Sequence, residues 1–366
     1  MMLSFRFRLY PTKQQAALLD ETLSGCCELY NAALQERRDA WRINRESINF
    51  AGQSAQLVEI KQVRPELNGI YSQVLQDTLR RVDKTFKSFF GRVQRKAKAG
   101  FPRFRSCSRY DSFTYPQLGF SVQGSHLCLS KIGKVKIKLH REIEGKIKTL
   151  TIKREAGRWF ACFSVEVEGQ PLPVRTESVG VDVGLLSFAT LSDGTEIDNP
   201  RYYREGQKHL RIVQRKVARR KKGSHRRRKA VQLLQRAHAH VSNQRTDFHH
   251  KISRWLVNEY GLIVVEELNV KGLASGMLAK SVNDAGWSAF IAKLLYKAEN
   301  AGRELMRVDP RGTSQTCLCG ASTPKTLSQR WHQCSACGLS ANRDHVSAQI
   351  ILARGLRVQN ATCSTS

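Results

Sequence analysis

Apolar positions along the chain change period more than once. Leu3, Phe5, Phe7 and Leu9 alternate with Ser4, Arg6 and Arg8, which predicts a strand with one buried face. Pro11-Thr12 ends it, and Thr12 can cap the helix that follows. From Lys13 to about Lys98 the spacing is helical. Leu18, Leu19, Leu23 and Cys27 suit one buried face; Leu75, Leu79, Val82, Phe86, Phe89 and Phe90 suit another. Gly100-Phe101-Pro102 breaks this region. Between Ser112 and Glu168 the period returns to two. Val135, Ile137 and Leu139 alternate with lysines, while Trp159, Ala161, Phe163, Val165 and Val167 line one side of another strand. A small β-barrel or sheet is expected there, joined by the first strand. Gly169 to Thr176, with two prolines, reads as a linker.

Beyond it, Val179 to Ile197 reads as a hairpin turning at Asp193-Gly194. Arg204 to Leu256 is a long basic helical stretch, a hairpin broken at Gly223-Ser224. Ile263 to Val265 is a short buried strand. Asp284 to Ala301 is amphipathic, with Trp287, Phe290, Ile291, Leu294 and Ala298 on one side. Leu305 to Val308 is a strand, and a last helix is expected from Asp344 to about Arg354. Gln359 to Ser366 is expected to be a disordered tail.

Charge sharpens this picture. The 366 residues exceed one typical domain, and the formal net charge of +30, with a pI of about 10.1, favours a polyanionic partner. No apolar run reaches the roughly 18 residues needed to span a membrane, and the N-terminus lacks the continuous apolar core of a signal peptide. A cytosolic protein is expected, so the ten cysteines are read as thiols or metal ligands rather than disulfides.

Three acidic stations carry the candidate chemistry: Gly180-Val181-Asp182-Val183-Gly184, Ile263-Val264-Val265-Glu266-Glu267-Leu268-Asn269, and Asn342-Arg343-Asp344. A strand aspartate, a glutamate ending a later strand and an aspartate opening the last helix match the ribonuclease-H-like pattern. Phosphodiester hydrolysis needs an activated water and a stabilised leaving oxygen, and two Mg²⁺ or Mn²⁺ ions about 3.5–4 Å apart on carboxylates supply both. Asp182, Glu266 and Asp344 are therefore the candidate catalytic and Mg²⁺-binding residues. Glu267 rivals Glu266, and Glu266 is preferred because it directly ends the buried strand.

Cys317-Leu318-Cys319-Gly320 and Cys334-Ser335-Ala336-Cys337-Gly338 read as the two knuckles of a zinc ribbon holding one structural Zn²⁺. The first knuckle has one residue between its cysteines where two are usual, and His332 is an alternative ligand. Cys26, Cys27, Cys107, Cys128, Cys162 and Cys363 have no partner spacing.

Two segments suit nucleic acid. Lys208, Arg211, Arg215, Lys216, Arg219, Arg220, Lys221, Lys222, Arg226, Arg227, Arg228 and Lys229 lie in a stretch with no acid between Gly206 and Thr246, the pattern of a phosphate track. Phe101, Arg103, Phe104, Arg105, Arg109, Tyr110, Phe113 and Tyr115 interleave aromatics with arginines, which suits base stacking.

Together these residues resemble the TnpB family, the RNA-guided nucleases of compact insertion sequences and presumed ancestors of type V CRISPR effectors. The resemblance is carried by Phe5 to Thr12, Gly100 to Phe104, Gly180 to Gly184, Glu266 to Gly272, Val308-Asp309-Pro310 and Thr313 to Cys317. It implies a multidomain α+β protein. Residues 1–10 and 106–172 would form a β-barrel wedge domain, and residues 11–105 a helical recognition lobe. Residues 173–308 and 341–358 would form a RuvC nuclease domain with a zinc ribbon at 309–340 inserted, and 359–366 the tail. It further implies a guide RNA from the element's end, a double-stranded DNA target beside a short motif, and one RuvC site cutting both strands. The setting would be bacterial or archaeal cytoplasm, at the nucleoid when on target, and a monomer is expected. Asn342 stands where the family usually has aspartate, and Val346 where it usually has asparagine. The alternatives are a relative that has lost cleavage and acts as an RNA-guided repressor, or a transposition protein working without RNA.

Overall fold

A computed structural model describes residues 1–326 and 329–363, with side chains to residue 360. The chain forms two compact units of mixed α and β structure, Met1–Val167 and Glu168–Ser366.

The first unit opens with β1 (Met2–Tyr10), then α1 (Lys13–Asn44), α2 (Phe50–Ala55), α3 (Leu57–Val63), a 3₁₀ turn (Pro65–Gly69) and α4 (Ser72–Gln94). Thr12 and Gln15 form a capping box at the start of α1. Leu19, Leu23, Cys26, Cys27, Tyr30 and Leu34 of α1 are buried, as are Val74, Leu75, Leu79 and Val82 of α4. Leu18 and Phe90, expected inside, are instead 39% and 55% exposed.

Six further strands follow: β2 (Ser112–Tyr115), β3 (Phe120–Gln123), β4 (His126–Leu129), β5 (Gly133–Lys138), β6 (Lys146–Glu155) and β7 (Arg158–Glu166). With β1 they make one seven-stranded sheet, ordered β2-β6-β7-β1-β5-β4-β3. The expected closed barrel is not formed. The sheet rolls until Tyr115 of β2 meets Phe120 of β3, ring centroids 6.3 Å apart, yet no ladder joins those two strands among the described residues. Both are four residues long, and Pro116, which has no N–H to give, follows β2 directly. Side chains rather than backbone close the roll. The Tyr115 hydroxyl donates to the Ser130 carbonyl at 3.1 Å.

The second unit begins with β8 (Ser178–Val183), β9 (Ser187–Leu191) and β10 (Glu196–Asp198), so the expected hairpin is a three-stranded meander, turning at Asp193-Gly194 between its last two strands. Then come α5 (Tyr202–Ala218), α6 (His225–Glu259), β11 (Leu262–Glu266), α7 (Val270–Leu273), α8 (Ala279–Ala285), α9 (Trp287–Asn300) and β12 (Glu304–Val308). A small hairpin, β13 (Trp331–Gln333) and β14 (Ser340–Asn342), leads into α10 (Arg343–Cys363). The tail expected from Gln359 is the end of α10, where the Gln359 amide donates to Glu304 at 2.8 Å; residues 364–366 lie outside the described residues.

The main sheet is ordered β10-β9-β8-β11-β12. β8, β9 and β10 are antiparallel; β11 runs parallel to β8 and β12. Alternation sorts its side chains. Val179, Val181, Ile263 and Val265 share a core with Leu256, Phe290 and Leu294 of α6 and α9. On the other face, Leu262, Val264 and Val308 pack against Ile351 and Leu352 of α10. Helix α10 sits close because two glycines admit it. A β-carbon at Gly180 would lie 2.1 Å from the Ala348 carbonyl oxygen, and one at Gly355 would lie 2.4 Å from a Val264 methyl.

Gly180→Ala should therefore destabilise the second unit by roughly 1–3 kcal/mol or more, since backbone must move to admit the methyl. Gly355→Ala meets only a side chain and should cost less. Thermal or urea unfolding of the two variants checks the order.

Candidate functional site

Asp182 follows Gly180 by two residues and Glu266 follows Val264 by two, so both carboxylates point to the α10 side of the sheet. Gly180 pairs with Val264 and Val181 with Val265, which puts Asp182 and Glu266 level on neighbouring strands. Asp344 arrives from the first turn of α10. The structure thus brings together three residues spread over 162 positions of the sequence. Glu267 lies on the exposed side instead.

Asp182 feels the charges of the other two. Burial, and then the charges of Glu266 and Asp344, hold the Asp182 carboxyl well above the usual carboxylate range. Burial also raises the Glu266 carboxyl, against a hydrogen bond from Thr313 Oγ1 at 2.5 Å and the charge of Arg354. Among the described residues neither Asp182 nor Glu266 has a cation within ion-pair distance, and Asp344 has only Arg343, at 3.7 Å. Three neighbouring carboxylates with one lateral counter-charge form a site short of positive charge. Their all-oxygen donor set suits Mg²⁺ or Mn²⁺.

Residues around Asp344 hold it in place. Asn342 Oδ1 accepts from the Asp344 amide at 2.9 Å, capping α10, while its Nδ2 donates to Glu196 at 3.1 Å. An amide caps as well as a carboxylate, so asparagine keeps Asp344 oriented without adding a fourth negative charge nearby. Arg343 Nη1 donates to the carbonyls of Thr326 and Gln329 at 3.1 and 3.0 Å, tying the carboxylate's neighbour to the cysteine segment. Val346 is a core residue, 1% exposed.

That segment holds four thiols. The Sγ atoms of Cys317, Cys319, Cys334 and Cys337 all lie within 4.8 Å of one another, with Cys317–Cys337 at 3.6 Å and Cys319–Cys334 at 3.7 Å. A zinc–sulfur bond of about 2.3 Å gives tetrahedral edges of about 3.8 Å, so these separations fit a four-thiolate site. The short first knuckle is absorbed by its turn. Gly338 N–H closes on the Cys334 carbonyl four residues back, whereas Gly320 closes on Cys317 three back, both at 2.9 Å. Both glycines have positive φ. Backbone N–H groups of Cys337 and Ala336 bring the Cys334 thiol down to about 7. His332 is not among the clustered groups; its Nδ1 meets Lys325 and its Nε2 is buried without a hydrogen-bond partner.

The basic surfaces divide. Arg215, Arg219, Arg220, Lys221, Lys222 and Arg226 are exposed, on or beside the turn between α5 and α6. Arg227 is occupied, donating to the Val217 and Arg220 carbonyls that end α5. Arg103 and Arg105 are exposed. Tyr110 is not accessible for stacking: it is 4% exposed and packs against Tyr30.

The chain thus combines a mixed α+β fold, three carboxylates gathered at one sheet and a four-thiol cluster that could hold a metal. Comparison with known proteins narrows it. Residues 162–276 match the OrfB_IS605 family, described as "Probable transposase", and residues 287–351 the Cas12f1-like TNB domain. Residues 1–46 match a "Helix-turn-helix domain", although here they form a strand and one long helix. A Streptomyces pristinaespiralis protein named "Putative RNA-guided DNA endonuclease" is 36% identical, covering 96% of this chain and 89% of that protein. InsQ of Escherichia coli (strain K12), which carries the same description, is 30% identical, covering 96% and 92%. A solved Cas12f1–sgRNA–target DNA complex aligns over 96% of this chain and 99% of that one, at 15% identity and a TM-score of 0.38, a loose likeness. The chain belongs to the TnpB family.

Two outcomes test the site. Without divalent cations, stability should fall as pH rises above the ordinary aspartate range near 4, because the unfolded chain releases the Asp182 proton before the folded chain does. Asp182→Asn should flatten that slope, melt higher than wild type at neutral pH, and lose most of the stabilisation by Mg²⁺ or Mn²⁺; melting curves against pH with and without metal check all three. Purified protein should also carry about one zinc per chain, lost in the double variant Cys334→Ser/Cys337→Ser with a marked fall in melting temperature, as elemental analysis and calorimetry would show.

Proposed function

We propose that the protein is an RNA-guided DNA endonuclease whose second unit is a RuvC-type nuclease with a zinc ribbon inserted. The observation that carries this is the convergence of Asp182, Glu266 and Asp344 on one face of the sheet in a chain 36% identical to a relative named for that activity. The strand order supports a ribonuclease-H-like core: three antiparallel strands, then two parallel ones beside the first. Residues 173–308 and 341–358 would be that core, and 309–340 the ribbon. In the first unit, the rolled sheet of residues 1–10 and 106–172 would be the wedge, and the helices of 11–105 the recognition lobe. Guide RNA would select a double-stranded DNA target by base pairing beside a short motif.

The three carboxylates would hold two divalent ions, which when bound supply an activated water and neutralise charge on the leaving oxygen. The remaining work falls to the chain. Thr313 fixes the Glu266 carboxylate by hydrogen bond, and Asn342 fixes the backbone of Asp344. The charge of Arg343 moderates the repulsion at Asp182. The exposed arginines and lysines around the α5–α6 turn would hold phosphate backbone through sequence-independent contacts.

Asp182→Ala, Glu266→Ala and Asp344→Ala should each reduce cleavage of a guide-matched plasmid by about 10²–10³-fold or more, the effect of several kcal/mol of lost transition-state stabilisation. Guide RNA binding should persist in all three, and Glu267→Ala should still cleave. Plasmid cleavage alongside RNA-binding titrations checks this. Full cleavage by Glu266→Ala would overturn the assignment.

A further inference from the structure

A fourth carboxylate shares the face that carries the site. Thr190 of β9 pairs with Asp182 on one side and with Glu196 of β10 on the other. Directly paired residues put their side chains on the same face of a sheet, so Glu196 looks toward α10 as Asp182 does, two strand spacings or about 10 Å along the row. Ile197, the next residue, turns instead into the core shared with α9. Both oxygens of Glu196 are taken. The Ser187 hydroxyl donates to Oε2 at 3.4 Å and the Asn342 amide to Oε1 at 3.1 Å, and neither partner is a cation.

We propose that Glu196 is a positioning residue for the nuclease site, acting through Asn342 on Asp344. The inference rests on the endonuclease reading above and adds a residue to it. Asn342 uses both ends of its amide: Oδ1 accepts from the Asp344 N–H at 2.9 Å, and Nδ2 donates to Glu196. That donation decides which end faces the helix. Without the carboxylate the amide is free to turn its NH₂ toward the Asp344 N–H, which sets two donors face to face and loses the cap. Glu196 thereby fixes the start of α10, where Asp344 sits in the first turn. The backbone of Asn342 pairs with Trp331 in the small hairpin. One residue thus ties β14, β10 and α10 together.

The same pair accounts for asparagine at a position where the family usually has aspartate. An aspartate would cap α10 equally well, but it has no N–H to give. Its second oxygen would face the Glu196 carboxylate across the 3.1 Å that the amide now spans. Two like charges at that range repel, and the repulsion would press the start of α10 away from β10 and carry Asp344 with it. Asparagine is therefore matched to Glu196 rather than a weakening of the site. The residue usual in the family, placed in this chain, should harm cleavage.

The test is a double-mutant cycle on the guide-loaded protein cutting a guide-matched plasmid. Asn342→Asp should lower kcat about tenfold, with KM for the target and guide RNA affinity unchanged. Adding Glu196→Lys to Asn342→Asp gives the new carboxylate a cation and should restore kcat to within about threefold of wild type. Glu196→Gln keeps an acceptor for the Asn342 amide and should retain most activity, whereas Glu196→Ala should lose about fivefold or more. A second readout needs no cleavage. The Mn²⁺ concentration that half-saturates the rise in melting temperature should increase in Glu196→Ala and not in Glu196→Gln, which separates the hydrogen bond from the charge. Hydrogen bonds this exposed add little to global stability, so the variants should fold. If Glu196→Ala does not, the charge-reversal pair still decides. Wild-type kcat in Asn342→Asp would overturn the proposal, as would a double variant no faster than Asn342→Asp alone, or Glu196→Ala matching Glu196→Gln in both readouts. A wild-type complex that leaves the plasmid uncut would instead count against the endonuclease reading, and the Mn²⁺ melting series would then decide the positioning role by itself.

Discussion

The second unit depends on one close approach, the contact of α10 with strands β8 and β11. Gly180 faces the helix backbone directly, and any β-carbon there would overlap the Ala348 carbonyl. Gly355 makes the reciprocal accommodation, leaving room on the helix for Val264. Both contacts lie on the face that carries Asp182 and Glu266. Helix position and carboxylate geometry are therefore set together, because the residue that admits the helix and the residue that carries the charge are two apart on one strand.

That arrangement stores electrostatic cost at the site. Like charges gathered under partial burial disfavour ionisation, and here Arg343 relieves only part of the repulsion. Packing elsewhere has to maintain the geometry. Val179, Val181, Ile263 and Val265 provide it on the opposite face through the core shared with α9. A ligand of high positive charge density would relieve the same strain.

The cysteine segment is linked to this geometry by covalent and hydrogen-bonded paths. β14 runs without a break into α10, and Arg343, the helix's first residue, is held by carbonyls of the loop between the two knuckles. Order in the four-thiol cluster is thereby passed to the residue beside Asp344. The shortened first knuckle shows how little this depends on motif spacing: a three-residue closure at Gly320 replaces the four-residue closure at Gly338, and the sulfurs still reach tetrahedral separations.

Sequence alone determined the elements whose periods are strong and the residues whose chemistry is local. The nine-residue alternation of β1, the capping box at Thr12, the turn at Gly223-Ser224 and the paired cysteines are all properties of near neighbours. The three acidic stations were legible for a related reason, since each sits at an element edge with a distinctive local setting. Tertiary structure decided the rest. Whether the first unit's strands close into a barrel depends on whether β2 and β3, consecutive in the chain but at opposite edges of the sheet, pair with each other, and no local period encodes that. Tyr110 and Arg227 read as surface residues in sequence, yet one is enclosed by α1 and the other spends its guanidinium on the end of α5. The fit of Gly180 against Ala348 and the meeting of Asp182 with Asp344 join residues 168 and 162 positions apart. Only the folded chain shows which of those meetings leaves a charge unanswered.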